Sequence, residues 1–316
     1  MIRSRPHKDA DTKLREEIKA LCAELRSGST QPITKRRETG KKLLDILSKE
    51  RNRTRIVEQI VEQSVKKGYS LAKARKQAHQ LAWGPIIRSA FYSANTLLSK
   101  TSKRTSFDPA DVKLPLKILH YSDMSSEGTR VTVECTSKLG SREVHEILEF
   151  CFNMLEDDDV RKLAETELMN TLVYLCERVD YVASFSPHDE VLKILSTAEA
   201  VLTVDEGDNA TAAARLFGSI LESCVELGMG LFVVVNKSVR LVARWCSAHM
   251  EEADRNPREL AYLFRGITAI LRYHPEQAIK PLIRCGRVLL KFARRSYTKA
   301  TTPNRHAIHG YIIAHM

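Results

Sequence analysis

Apolar residues recur along this chain every three or four positions, the spacing of a helix that buries one face. In "LREEIKALCAEL" they are Leu14, Ile18, Leu21 and Leu25. Gly28 and Pro32 then interrupt the pattern. A second helix carries Leu43, Leu44 and Leu47 on one face, and a third carries Ile56, Ile60, Val61 and Val65. One or two more follow around Trp83 and Pro85. Beyond residue 108 the same period runs through "SREVHEILEFCFNML", "NATAAARLFGSILESCVEL" and "PRELAYLFRGITAILRYH". Three helix starts share one grammar: Asp108-Pro109 with Asp111, Ser186-Pro187 with Asp189, and Asn256-Pro257 with Glu259. A capping side chain is expected to accept an orphan N–H, proline supplies the helical φ, and the acid faces the positive helix end. "TRVTVE", Thr129 to Glu134, alternates like a strand. A lone strand builds no sheet, so the segment is read as an irregular loop.

The expected class is therefore all-α. About a dozen helices joined by short turns are more than one bundle core serves, which favours a HEAT-like α-solenoid of antiparallel helix pairs. The repeat period expected there is degenerate, about 40–47 residues. A compact bundle is the alternative.

Charge divides the chain. Of its 316 residues, 1–105 hold 25 Lys and Arg against 10 Asp and Glu, a surplus of +15, while 106–316 hold 25 against 29. Such asymmetry points to an acidic partner for the first third, be it nucleic acid, a phosphorylated tail or an acidic peptide, or else to a solvated helical surface. The expected organisation is a basic block of helical repeats over 1–105 and continuing repeats over 106–316. Seven dispersed cysteines form no C-x-x-C pair and read as buried thiols in a reducing compartment. The opening "MIRSRPHKDADTK" has no apolar core of a signal peptide, and "LGMGLFVVVN" is too short to span a bilayer. A soluble intracellular protein is expected.

Catalytic chemistry finds no foothold. "NRHAIHG" holds His306 and His309 without a Cys or acidic residue at ligand spacing, so no metal is expected. "GMGLF" lacks a third glycine and a G-K-[ST], so it reads as a turn rather than a phosphate cradle. "EDDD", Glu156 to Asp159, reads as a charge cluster at a helix start. No catalytic, cofactor-binding or metal residue is assigned, and no cofactor is expected. Aromatics are few in the basic third, so sequence-specific base reading is not expected, which leaves salt-sensitive phosphate contact.

"RSGSTQPITKRRETGKKLLDIL" resembles the N-terminal motif of ATM-type kinases, the phosphatidylinositol-3-kinase-related protein kinases of DNA damage signalling. Arg37 matches the motif arginine. Arg36 stands where an acid is usual, Lys41 where an aliphatic is usual and Ile33 where a base is usual. The order of "AWGPIIRSAFYSANTLLSK", "VKLPLKILHY", "LGSREVHEILEFCFNML" and "ETELMNTLVYLCERVDYVASFSPHDEVLKIL" is also similar to the first helical segment of that family.

The resemblance implies a nuclear scaffold of a serine/threonine protein kinase, serving the double-strand-break response, DNA repair and telomere maintenance. It implies docking of the nibrin-type subunit of the break-sensing complex through an acidic tail. The residues singled out are Arg37, Lys41, Lys42, Leu43, Leu44 and Leu47, the leucines expected inside and the cations outside. The family's catalytic loop is not present: "NRHAIHG" shares only Arg305-His306 with it. The apolar end "HGYIIAHM" leads to the expectation of a truncated array. The alternative is an independent helical-repeat adaptor that binds nucleic acid or protein.

Overall fold

The computed structural model describes residues 6–27, 32–101, 109–127, 139–204, 207–229, 232–250, 257–273 and 275–299. Among them every regular element is helical, so the chain is all-α. "TRVTVE", Asp108, Asn256 and the histidines of "NRHAIHG" lie outside the described residues. The helices group into two compact units, Met1–Glu167 and Leu168–Met316.

In the first unit the helices are α1 (Pro6–Arg26), α2 (Ile33–Ser48), α3 (Glu50–Lys66), α4 (Leu71–Thr101), α5 (Pro109–Glu127) and α6 (Ser141–Glu156). Helix α7 (Asp158–Cys176) runs across the division. The segment around Trp83 and Pro85 is one helix, α4, with Pro85 inside it. A proline removes one ladder N–H. Here the carbonyl of Pro85 accepts hydrogen bonds from Ser89 Oγ (2.6 Å) and Arg26 Nη2 (2.9 Å). Trp83 and Phe91 are fully buried, and Phe91 meets Phe150 of α6 edge-on at 5.0 Å between centroids. Helix α5 packs on α2, α3 and α4. Helix α3 departs from its expected apolar face: Ile56 is buried, Ile60 and Val61 are half-buried, and Val65 is 42% exposed.

The second unit continues with α8 (Val179–Val182), a π-helical turn (Pro187–Val191), α9 (Leu192–Val204), α10 (Asp208–Glu226), α11 (Phe232–Ala248), α12 (Pro257–Tyr273) and α13 (Pro275–Lys299). Helices two apart in the chain lie side by side: α10 with α12, α11 with α13, and α9 with α11. Their side-chain ties give the sense. Thr211 and Glu222 of α10 reach Glu259 and Arg265 of α12, in ascending order on both, so the two run parallel. Ser196 and Glu199 of α9 meet Lys237 and Arg244 of α11 in the same way. Helix α10 is apolar on nearly every side, with Ala213, Ala214, Leu216, Phe217 and Ile220 buried, as expected of a helix enclosed by others. Gly218 permits its close approach to α12: a Cβ there would stand 2.9 Å from the Tyr262 carbonyl oxygen.

The expected capping grammar holds in position but not in detail. Asp111 and Glu259 each occupy the first turn of their helix, yet their carboxylates are buried against other helices, Asp111 on Arg37 and Glu259 on Thr211. Ser186 Oγ accepts no backbone N–H. It donates to Asp189 at 3.0 Å, while Ser186 N–H donates to Glu190 at 2.7 Å. Among the described residues no helix is long and apolar enough to cross a membrane.

Candidate functional site

Helix α2 carries all six residues that the motif singles out, and its geometry sorts them by role. Leu43 and Leu47 are fully buried. Leu44 is a correction: it is half-buried, at the edge of the core rather than in it. The buried stripe is Arg36, Thr39, Gly40, Leu43, Ile46 and Leu47. Those positions step by three and four, so Ile46, not Leu44, completes the apolar face. Lys41 and Lys42 are exposed.

Arg37 is a second correction, because it is not a free water-facing cation. Its Nε donates to both oxygens of Asp111, at 2.9 and 3.1 Å, and Nη2 donates to Oδ2 at 2.6 Å. The Asp111 side chain is 5% exposed and that of Arg37 23%. This forked, charge-assisted contact fixes α2 against the first turn of α5. Gly40 helps it form, since a Cβ there would run into the Leu114 side chain of α5.

Other basic residues of the opening stretch are also consumed by the fold. Arg53 is buried and its Nη1 donates to the carbonyls of Leu47 (2.9 Å) and Ser48 (2.8 Å). Asn52 donates to Ile46 O at 2.9 Å. These two side chains of α3 cap the C-terminal carbonyls of α2, which no intrahelical donor can reach. The Arg53 guanidinium also stands 5.2 Å from the Tyr121 ring centre of α5. Lys49 pairs with Asp45 at 3.2 Å.

Arg36 is different: it is 2% exposed, and none of its three guanidinium nitrogens has a hydrogen-bond partner among the described residues. Sequence reasoning missed both its burial and that of Arg53. For Arg36 the phase with Leu43 and Leu47 was the available signal. For Arg53 the signal was its place one turn past the end of α2.

What α2 shows to water is Lys35, Glu38, Lys41, Lys42 and Asp45, a mixed face with a modest positive excess. It can attract an acidic chain, but at longer range than the about 8 Å Debye length of physiological salt the attraction is largely screened.

A second polar cluster joins α1, α4 and α6. Arg26 Nε donates to Ser89 Oγ at 2.8 Å, and Arg88 pairs with the buried Glu143. Burial, then repulsion from Arg26, holds the Arg88 guanidinium below its ordinary pKa. The cluster ties α1, α4 and α6 together. On buried thiols burial acts in the opposite direction: it raises Cys22 and Cys151, and carries Cys224 and Cys246 up to about 12. Such thiols carry little thiolate at neutral pH and are poor nucleophiles.

"GMGLF" begins with a helix stop. Gly228 sits at φ +68°, with Met229 N–H bonded to Cys224 O at 2.8 Å and Gly228 N–H to Val225 O at 3.0 Å, a glycine C-cap closing α10. Among the described residues no group of three His, Cys, Asp or Glu side chains gathers as a metal site. Comparison with known protein families, curated proteins and solved structures finds no match for this chain.

Proposed function

We propose that the chain is the N-terminal helical scaffold of an ATM-like serine/threonine protein kinase, built as a HEAT-like α-solenoid. In this reading it acts in the nucleus, in the double-strand-break response, DNA repair and telomere maintenance, by docking proteins. The observation that carries the array is the sequence separation of its ties. The pairs Ser196–Lys237, Glu199–Arg244, Glu222–Arg265 and Thr211–Glu259 are 41, 45, 43 and 48 residues apart. A stack of helix pairs repeating every ~40–47 residues brings next-but-one helices together at such intervals. The motif half rests on α2, whose arginine is locked to Asp111 while Lys41 and Lys42 remain outside.

The partner proposed is the nibrin-type subunit, through its acidic tail. The test is titration of the full chain against a fluorescent acidic-tail peptide at low and physiological salt. Affinity should fall as salt rises, and Lys41→Glu with Lys42→Glu should lower it further while helicity stays intact. Arg37 is left in place, because reversing it would break the fold rather than the contact. Affinity indifferent to salt and to both substitutions removes the docking half of the proposal.

One set of exposed lysines favours the second reading, a nucleic-acid-binding helical-repeat adaptor: Lys35, Lys41, Lys42, Lys66 and Lys67 all face solvent in the first unit. Duplex DNA bound more tightly than the peptide, with a steep salt slope, would select that reading.

A further inference from the structure

Helix α13 has one face packed and one face open. Phe292 is 1% exposed, lies 5.7 Å from the Trp245 ring centre of α11, and anchors the packed side with the buried Pro281. On the opposite side Ile283 is 77% exposed and Leu290 57%. These two large aliphatics stand seven residues apart, one heptad, so they share a line along the helix. Between them Gly286 leaves open space: a Cβ there would meet nothing within 4 Å. Beside the line run Lys280, Arg284, Arg287, Lys291 and Arg294, all exposed and none with a hydrogen-bond or ion-pair partner among the described residues. Glu276 is the only acidic residue of the helix.

We infer that this face is a docking surface for an acidic amphipathic helix of a partner protein. Each part of the pattern asks for one feature of that partner. Ile283 and Leu290 at a heptad spacing, with a glycine notch between them, accept knobs from a second helix running alongside. The flanking cations ask for Glu or Asp at the partner's edge positions. From Lys280 to Arg294 the helix rises about 21 Å, which fits a partner segment of roughly four turns.

Two other occupants fit less well. Phosphates of a nucleic acid would use the cations but give the two aliphatics nothing to contact. A membrane-lying helix needs a broad apolar face sunk into lipid, whereas the open side of α13 offers two large aliphatics, and the side that carries Pro281 and Phe292 packs on α11. The inference stands apart from the proposed role of α2, since it uses none of the same residues.

The probe is a fluorescein-labelled 16-residue peptide with leucines at heptad a and d positions and glutamates at the flanks. It is titrated with the full chain and followed by anisotropy. A scrambled peptide of the same composition, a short DNA duplex and phosphatidylserine vesicles are run beside it. Expected is saturable binding of the patterned peptide, with a gain of peptide helicity. Both Ile283→Ser/Leu290→Ser and Arg284→Glu/Arg287→Glu/Lys291→Glu should weaken it at least roughly tenfold, as losing central anchors does.

These positions are exposed, so the variants should keep the parent's circular dichroism. The triple reversal Arg240→Glu/Arg258→Glu/Arg272→Glu, equal in charge but on other exposed arginines, should weaken binding by less. The inference is overturned if the scrambled peptide binds as well, or if the patterned peptide does not bind. It is also overturned if binding tracks total charge rather than position, or if DNA or vesicles bind with the same dependence on Arg284, Arg287 and Lys291.

Discussion

The two units are both helical bodies, yet they are held together differently. In Leu168–Met316 the side-chain ties recur at sequence separations between 38 and 48, and most involve an exposed pair such as Glu177–Arg215 or Glu222–Arg265. The interior there is mostly Ala, Leu, Val and Ile with Tyr181, Phe185, Phe217, Trp245 and Phe292, and Glu259 is its one buried charged group among the described residues; Gly218 brings α10 and α12 close. In Met1–Glu167 the long ties span 48 to 74 residues, and more charged groups enter the core: Arg36, Arg53, Asp111 and Glu143 are all buried. In the proposed array, successive interfaces of like shape would leave most charges on the rim. A body with irregular connections uses specific polar contacts to fix which helix meets which.

The largest expected effect tests that contrast at Arg37. Arg37→Met leaves the Asp111 carboxylate buried without its cation, and removing one partner of a buried pair costs about 3–5 kcal/mol. Chemical denaturation should show that loss; a shift below about 1 kcal/mol would mean that the first unit is not organised by its buried charges. Next comes Gly218→Ala, where the added methyl meets the Tyr262 carbonyl. Overpacking of this kind costs about 1–3 kcal/mol, read from the thermal midpoint. An unchanged midpoint would show that α10 and α12 can separate freely.

Arg36→Met should act in the opposite direction. Replacing an unpaired buried guanidinium by an apolar chain of similar length removes a desolvation cost, so stability should rise, by about 1–3 kcal/mol. A loss of stability would reveal a partner for Arg36. Smallest of all is Arg244→Met: the arginine is 66% exposed, and an exposed pair such as Glu199–Arg244 contributes about 0–1 kcal/mol.

Legibility in the sequence followed the same divide. Helix α12 is readable because apolar period and burial coincide at Leu260, Leu263, Ile267 and Ile270, whereas α13 leaves Ile283 and Leu290 exposed. Helix α2 misleads because its buried stripe begins with arginine, threonine and glycine, which pattern reading assigns to the outside. Leu44 was drawn inward by its neighbour Leu43, although one position turns the side chain by about 100°. The basic stretch at 33–55 looked like a surface for an acidic partner. Arg37, Arg53 and Lys49 instead spend their charge on Asp111, on the end of α2 and on Asp45. Long-range pairing of this kind has no local signature, since Asp111 lies 74 residues from Arg37. What remains on α2 for a partner is Lys41 and Lys42 with a few neighbours, which is why the docking test concentrates on those two.

The central claim, that the second unit is an array in which each helix answers mainly to its neighbours, is tested most directly by hydrogen exchange on Phe292→Leu. This change loosens α13 against Trp245 without emptying the site. In an array, stability is a sum of local and nearest-neighbour terms. Amide protection should therefore fall most in α13 and α11, less in α12, and least in α9 and α10. An equal loss of protection across α9 to α13 would contradict the account and make this unit a single cooperative bundle.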